Sequence, residues 1–158
     1  MPKTNNSKDV TSPNSGWGYY KLCFKKYVQF SGRACRSEYW WFWITNFVIG
    51  FVLGFLSGYL QYSNPILAGL FYWLSILFMF ATLLPSLAVY CRRYHDIGRS
   101  AWFAFVPAVF FLIASVMGEA TQAPVVLIIP ILIGELVFYF ILPCLPSQKG
   151  PNKYGPQP

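Results

Sequence analysis

Residues 39–91 read YWWFWITNFVIGFVLGFLSGYLQYSNPILAGLFYWLSILFMFATLLPSLAVYC, and none of these 53 positions carries a charged side chain. About 20 residues of α-helix cross the hydrocarbon core of a bilayer, so this stretch is too long for one span. The segment QYSNP at 61–65 interrupts it with polar residues and a proline that suits the start of a helix. We therefore predict two membrane helices, at about 40–60 and 65–89.

Two further apolar runs follow in the second half of the chain. One is uncharged over 100–118, with Ser100 as its predicted N-cap, and the other extends from about 123 to 142, where Pro143 and Pro146 end it. Polar residues at 118–122 separate the two runs. They predict a third span at about 101–118, kinked at Pro107, and a fourth at about 123–142. A re-entrant hairpin formed by 101–142 is the alternative.

The composition also indicates a membrane protein. Hydrophobic residues make up 56% of the chain, while charged residues reach only 11%, about half the share found in soluble domains. A soluble chain of 158 residues could not bury this much apolar surface, so the bilayer must act as its solvent. We interpret the net charge of +7 as membrane anchoring and do not expect nucleic acid as a partner, because the basic residues flank apolar spans.

The basic residues predict the orientation. They precede the first span, lie between the second and third, and follow the fourth, whereas the turns at 61–64 and 118–122 contain none. All twelve lysines and arginines thus fall on one side, which the positive-inside rule assigns to the cytoplasm. We predict an all-α integral membrane bundle of four transmembrane helices with both termini cytoplasmic (N-in, C-in). Residues 17–158 form a single membrane domain with a cytoplasmic tail at 143–158.

The segment before the first span has helical periodicity. Trp17, Tyr20, Phe24, Tyr27 and Val28 share one face, and lysines occupy another. This pattern predicts an amphipathic interfacial helix under the lipid headgroups. The alternative is an ordinary aromatic and basic flank of a membrane helix. Residues 1–16 are polar, and we expect them to be disordered and to contain no secretory signal.

Three motifs resemble those of a known family. They are FSGRACRSEYW at 30–40, PSLAV at 85–89 followed by RRYHDIGRSAW at 92–102, and KGPNKYGP at 149–156. Together they resemble the signatures of domain-of-unknown-function family 805, the YhaH-type small bacterial inner-membrane proteins. Tyr94 stands where leucine is usual, and Gln157 where aspartate is common. The resemblance covers nearly the whole chain from about Trp17 and implies a location in the bacterial inner (plasma) membrane. It implies no reaction.

The first two motifs bring charged residues to the predicted cytoplasmic face. Five arginines meet two carboxylates, which leaves roughly three positive charges without a partner. One interpretation is a structural set of ion pairs that locks the two segments together. The other is a binding site for an anionic lipid or a partner, because arginine suits bidentate contacts with phosphate. The candidate residues are Arg33, Arg36, Glu38, Arg92, Arg93, His95, Asp96 and Arg99.

Polar and small residues within the spans are further candidates. Glu135 is an ionisable residue inside a predicted span, with Asn46 at similar depth as a candidate partner. A protonated structural Glu135 and a proton- or cation-handling one are the alternatives. Gly50, Gly54 and Gly58 form a small-residue ladder on one helix face. We expect this ladder to pack within the bundle, with a homodimer as the alternative.

The sequence contains no recognisable catalytic or metal-binding pattern. Cys23, Cys35, Cys91 and Cys144 lie near the reducing cytoplasmic face and lack a C-x-x-C pair, so apolar packing is favoured over disulfides or zinc. One histidine and two aspartates are too few for a metal hydrolase.

We therefore expect neither a cofactor nor enzymatic activity. The prediction is a structural or interaction protein whose Arg-rich cytoplasmic face binds anionic phospholipid, a second copy of the chain or another membrane protein. A small transporter or channel subunit that uses Glu135 is the alternative function.

Overall fold

The computed structural model describes residues 13, 15–106, 109, 113, 129, 133–134 and 136–158. Glu135 and most of the predicted third and fourth spans lie outside the described residues, as do residues 1–12. Within the described ranges every named element is helical. These are α1 (Gly16–Lys25), α2 (Arg36–Leu60), α3 (Pro65–Asp96), a 3₁₀ helix (Ala101–Ala104), a π-helical turn (Val137–Ile141) and α4 (Leu142–Cys144).

The helices α2 and α3 form the hairpin expected from residues 39–91. The side-chain oxygen of Asn64 accepts a hydrogen bond from Leu67 N at 3.1 Å, and Pro65 occupies the first helical position. Both helices are long and apolar enough to cross a membrane. Near the turn, Ser57 Oγ donates to the carbonyl of the buried Ala68 at 3.1 Å. The predicted turn at 61–64 is therefore confirmed.

The helix α3 continues seven residues beyond its predicted end at Val89. Its 32 residues measure about 48 Å along the axis, whereas the hydrocarbon core is about 30 Å thick. The prediction ended the helix where the charges begin, but the backbone hydrogen bonds continue through them. Arg92, Arg93, His95 and Asp96 consequently lie on the last turns of a helix, and not in a connecting loop as predicted.

The helix α1 packs against the N-terminal part of α2 and against α3. Tyr20 and Cys23 are buried in a small core with Phe42 and Val89. Trp17, by contrast, is 58% exposed, and the lysines of α1 are exposed as well. The aromatic face that periodicity predicted is therefore divided, with Tyr20 turned into the protein and Trp17 turned away from it.

A proline inside α3 explains one contact between α1 and α3. Pro85 has no N–H to donate to the carbonyl of Ala81, four residues earlier, so a helical hydrogen bond is missing there. Tyr27, just after α1, donates its hydroxyl to that carbonyl at 2.8 Å. The tyrosine thus supplies the bond that the proline removes, and it ties the end of α1 to α3.

Candidate functional site at the basic end

The candidate residues gather at one end of the α2–α3 hairpin. We call it the basic end: it contains Arg36 and Asp96 and lies opposite the 61–64 turn. The loop before α2 contributes Arg33, the last turns of α3 contribute its arginines and Asp96, and residues 143–154 return to the same place. Three segments that are far apart in the sequence thus meet there.

Asp96 is the centre of the first cluster and is fully buried. Arg33 Nε lies 2.8 Å from Asp96 Oδ1. On the other oxygen, Oδ2, the carboxylate accepts from Arg93 Nη1 and from Ser147 Oγ. The backbone carbonyl of Asp96 also accepts from Gln148 N at 2.9 Å. One carboxylate therefore organises two arginines and the C-terminal segment.

The two arginines of this cluster also donate hydrogen bonds to backbone carbonyls. Arg33 Nη1 donates to the carbonyl of Gly150 at 2.6 Å, and Arg93 Nε donates to that of Pro143 at 3.0 Å. Arg93 also reaches the carbonyls of Ala34 and Leu145. Buried charges are tolerated when they are paired and hydrogen-bonded, and both guanidinium groups meet that condition. Both guanidinium groups are thus engaged in contacts within the protein.

Arg92 and Glu38 form the second cluster, between α2 and α3. Arg92 Nη1 lies 2.6 Å from Glu38 Oε1, and both side chains are buried. The direction of approach does not satisfy hydrogen-bond geometry at Nη1, and Nη2 has no acceptor in the described part of the chain. Lys26 Nζ lies 3.9 Å from the other oxygen of Glu38. This pair is therefore held by charge more than by directional bonds.

Cys23 lies beside this second ion pair. Its thiol is 3.9 Å from Glu38 Oε1 and 3.8 Å from the backbone carbonyl of Glu38. Burial, together with the negative charge of Glu38, raises the pKa of the Cys23 thiol to about 12. The group thus stays protonated at neutral pH, which suits a packing residue and not a nucleophile or a metal ligand.

His95 belongs to the C-terminal contact. Its ring stacks on Tyr154 with the two centroids 3.8 Å apart, and its Nδ1 lies 3.2 Å from the carbonyl of Gly32. The side-chain amide of Asn152 donates to the backbone carbonyl of His95 at 3.0 Å. The histidine therefore joins the loop before α2 to the end of the chain.

Two of the five arginines are left exposed. Arg36 has one long contact, from Nη1 to the carbonyl of Cys144 at 3.5 Å, and Arg99 lies 6.0 Å from the centre of the Phe103 ring. Neither pairs with a carboxylate within the described ranges. The eight candidates thus divide into six buried residues that join segments and two exposed arginines.

Comparisons with known proteins identify a family. A family model, "Protein of unknown function (DUF805)", matches residues 27–156. The chain belongs to this family. It is 33% identical to the inner membrane protein YhaI of Escherichia coli (strain K12) over 143 residues, which cover 89% of this chain and 94% of YhaI. It is also 33% identical to the inner membrane protein YhaH of the same strain over 140 residues, which cover 89% and 95%. No solved structure is significantly similar to the chain.

The predicted DUF805 membership is confirmed, and the three motifs that suggested it are the segments that meet at the basic end. Arg33 comes from the first motif, Arg93 and Asp96 come from the second, and Asn152 and Tyr154 come from the third. This DUF805 protein is a membrane protein, and its family motifs coincide with the contacts that close the basic end.

The candidates inside the spans have other surroundings. The Asn46 side-chain oxygen accepts from the hydroxyl of Tyr20 at 3.2 Å, while Glu135, its predicted partner, lies outside the described residues. A Cβ built on Gly50, Gly54 or Gly58 would meet no described heavy atom within 4 Å. In the described part of this DUF805 chain the ladder therefore faces open space, and its predicted packing within the bundle finds no contact there.

Sequence reasoning missed three features of the site. It did not predict that backbone carbonyls near the C-terminus would accept hydrogen bonds from Arg33 and Arg93. Every residue has such a carbonyl, so the sequence does not show which ones will be acceptors. It also missed Ser147, and the bond between Tyr27 and Ala81. Pro85 was the available signal for that bond, because a proline inside a helix leaves the carbonyl four residues earlier without its helical donor. Within the described residues, no three His, Cys, Asp or Glu side chains are grouped as a metal site.

Proposed function

We propose that this protein is a multi-pass protein of the bacterial inner membrane whose basic end binds anionic phospholipid headgroups on the cytoplasmic side. The proposal includes four spans and cytoplasmic termini. It gives the protein a structural or interaction role and no reaction. The names of YhaI and YhaH support the membrane, and the absence of lysine and arginine from the 61–64 turn supports the orientation.

The separation of buried and exposed charges carries the proposal. Glu38 and Asp96, the carboxylates of the described region, are buried in ion pairs with arginines. Cations surround that buried network at the surface, where no described carboxylate offsets them. A basic residue near an anionic bilayer contributes about 1 kcal/mol of attraction, so several together give a strong preference. The exposed cations among the described residues are Lys21, Lys25, Arg36, Arg99, Lys149 and Lys153.

Lipid selectivity in a bilayer tests the binding. The full-length protein is reconstituted into vesicles of phosphatidylethanolamine and phosphatidylglycerol, and either lipid is brominated so that it quenches tryptophan fluorescence. We expect brominated phosphatidylglycerol to quench more strongly at low salt. The difference should shrink in 1 M NaCl, where the Debye length is about 3 Å. Equal quenching by the two lipids at low salt would refute the proposal.

Cysteine labelling tests the orientation. Cys91 is buried, whereas Cys144 is exposed, so Cys144 is the natural reporter for the basic end. A membrane-impermeant maleimide added to intact spheroplasts should leave Cys144 unmodified and should label it after lysis. The variant Ser63→Cys, in the exposed 61–64 turn, is the matched control and should react before lysis. Labelling of Cys144 from outside would reverse the proposed orientation.

A further inference from the structure

We infer that a groove at the start of α2 binds the phosphodiester of one anionic phospholipid. The groove has a volume of about 230 Å³ and is lined by Arg36, Ser37, Trp40, Trp41 and Ile44. This inference rests on the proposed function and names the place where one lipid molecule would be held, in addition to the diffuse attraction of the basic end.

The polar side of the groove offers several unused donors. Among the described residues, the guanidinium of Arg36 contacts only the carbonyl of Cys144, at 3.5 Å, and the exposed hydroxyl of Ser37 makes no hydrogen bond. The first intrahelical bond of α2 is donated by Tyr39 N, so the N–H groups of Arg36 and Ser37 have no described acceptor either. Together with the helix dipole, these donors suit a phosphate oxygen.

The apolar side of the groove is held in place by packing. A Cβ added to Gly16 would lie 2.3 Å from the ring of Trp41, so α1 approaches this indole closely, yet Trp41 is still 48% exposed. On the other side, Trp40 packs edge-on against Tyr39 and lies 5.8 Å from the ring of Phe140. Ile44, about one turn beyond the two tryptophans along α2, extends the wall towards the apolar part of the helix. Tryptophan pairs of this kind are typical of the bilayer interface.

The neighbouring acidic residue does not compete for the cations of the groove. Glu38 follows Ser37 directly, but its carboxylate is buried against Arg92 and Lys26. The groove therefore presents positive charge beside indole rings, at the point where a 25-residue apolar helix begins. A soluble phosphate would use only the donors, whereas a phospholipid would use both the donors and the apolar wall. This difference favours lipid.

The test uses native mass spectrometry of the full-length protein in detergent, with phosphatidylglycerol or phosphatidylethanolamine added. The groove variant combines Arg36→Gln with Ser37→Ala. The matched control combines Arg99→Gln with Ser100→Ala, which removes another Arg-Ser pair of the basic end, with an exposed arginine and a half-buried serine. We expect the groove variant to retain phosphatidylglycerol at least tenfold less than wild type. The control removes only the general attraction of one exposed charge and should fall by no more than about fivefold. Arg36→Lys keeps the charge without the fork and should fall between wild type and the groove variant.

The outcomes distinguish a failure of the groove from a failure of the proposed function. Equal losses in the groove and control variants, or no loss in the groove variant, would refute the groove and leave a diffuse basic surface. A wild type that retains the two lipids equally would refute both proposals. In a further measurement, inorganic phosphate is added at 10 mM. If it displaces phosphatidylglycerol, the occupant of the groove is a soluble anion and the lipid proposal is wrong. Unchanged thermal unfolding of the variants would show that they are folded.

Discussion

Replacing Asp96 with asparagine should loosen the whole basic end. The carboxylate is fully buried and receives Arg33 on one oxygen, and Arg93 and Ser147 on the other. Asparagine preserves the shape but carries no charge. Whichever way its amide is turned, its NH₂ group meets an arginine donor where the wild type has an acceptor.

The size of the effect depends on the hydrogen bonds that Arg33 and Arg93 retain in the variant. Removal of one partner from a buried ion pair costs about 3–5 kcal/mol, because the opposite charge stays buried without compensation. Arg33 and Arg93 still donate to carbonyls such as those of Gly150 and Pro143, which limits the loss. We therefore expect a value near the lower end, about 3 kcal/mol. For a chain of this size, that corresponds to a fall in melting temperature of roughly 6–12 °C.

A thiol-reactive fluorogenic maleimide measures this change in detergent. Cys23 and Cys91 are buried and react on unfolding, while the exposed Cys144 sets the baseline. Trypsin should also cleave faster after Lys149 and Lys153 in Asp96→Asn, because the C-terminal segment loses its anchor. Arg99→Gln is the control and should stay within about 0.5 kcal/mol of wild type. A melting temperature of Asp96→Asn within about 2 °C of wild type would refute the assignment of Asp96 as the organising residue.

Three further substitutions test the other contacts by the same thermal assay. Tyr27→Phe leaves the carbonyl of Ala81 without a donor and should destabilise the protein by about 0.5–1.5 kcal/mol. Tyr19→Phe, whose hydroxyl makes no described hydrogen bond, should have little effect, and equal melting of the two variants would argue against the bond. Glu38→Gln should lower the free energy of unfolding by about 3 kcal/mol, because Arg92 stays buried and charged. The double variant Glu38→Gln with Arg92→Met should recover part of that stability. A double variant less stable than Glu38→Gln alone would contradict the ion pair. Gly98→Ala introduces a Cβ at φ +76°, 2.8 Å from Gln148 Oε1, and should cost about 1–2 kcal/mol. Gly150→Ala at φ +75° has open space around it and isolates the backbone part of that cost, so a larger loss there than at Gly98 would contradict the proposed contact with Gln148.

Part of the fold could be predicted because it depends on local properties. The hairpin followed from an apolar stretch longer than one span, with Asn64 and Pro65 as a helix start. A glycine just after the end of a helix favours a left-handed turn, and Gly98 after α3 has a φ of +76°. The end of α3 was not predicted, because hydropathy marks where the membrane ends, whereas the helix ends where its hydrogen bonds stop.

The candidate site was predicted as a group but not in its parts. Charge counting identified five arginines and two carboxylates at one end of the protein, yet it could not say which arginine meets which carboxylate. Arg92 and Arg93 are adjacent in the sequence but point about 100° apart around the helix. Arg92 therefore points from α3 towards Glu38 on α2, while Arg93 points towards Asp96 and the C-terminal segment.

The sequence by itself determined that this is a membrane protein of the DUF805 family, with a helical hairpin that turns at 61–64 and basic residues kept away from that turn. These properties follow from composition, periodicity and motifs, which are local. Only the tertiary structure decided that Arg33, Arg92 and Arg93 are buried, whereas Arg36 and Arg99 are exposed. The buried guanidinium groups of Arg33 and Arg93 need acceptors on several sides, and these come from segments more than 50 residues apart in the chain. Arg92 is buried because it meets the carboxylate of Glu38 on α2.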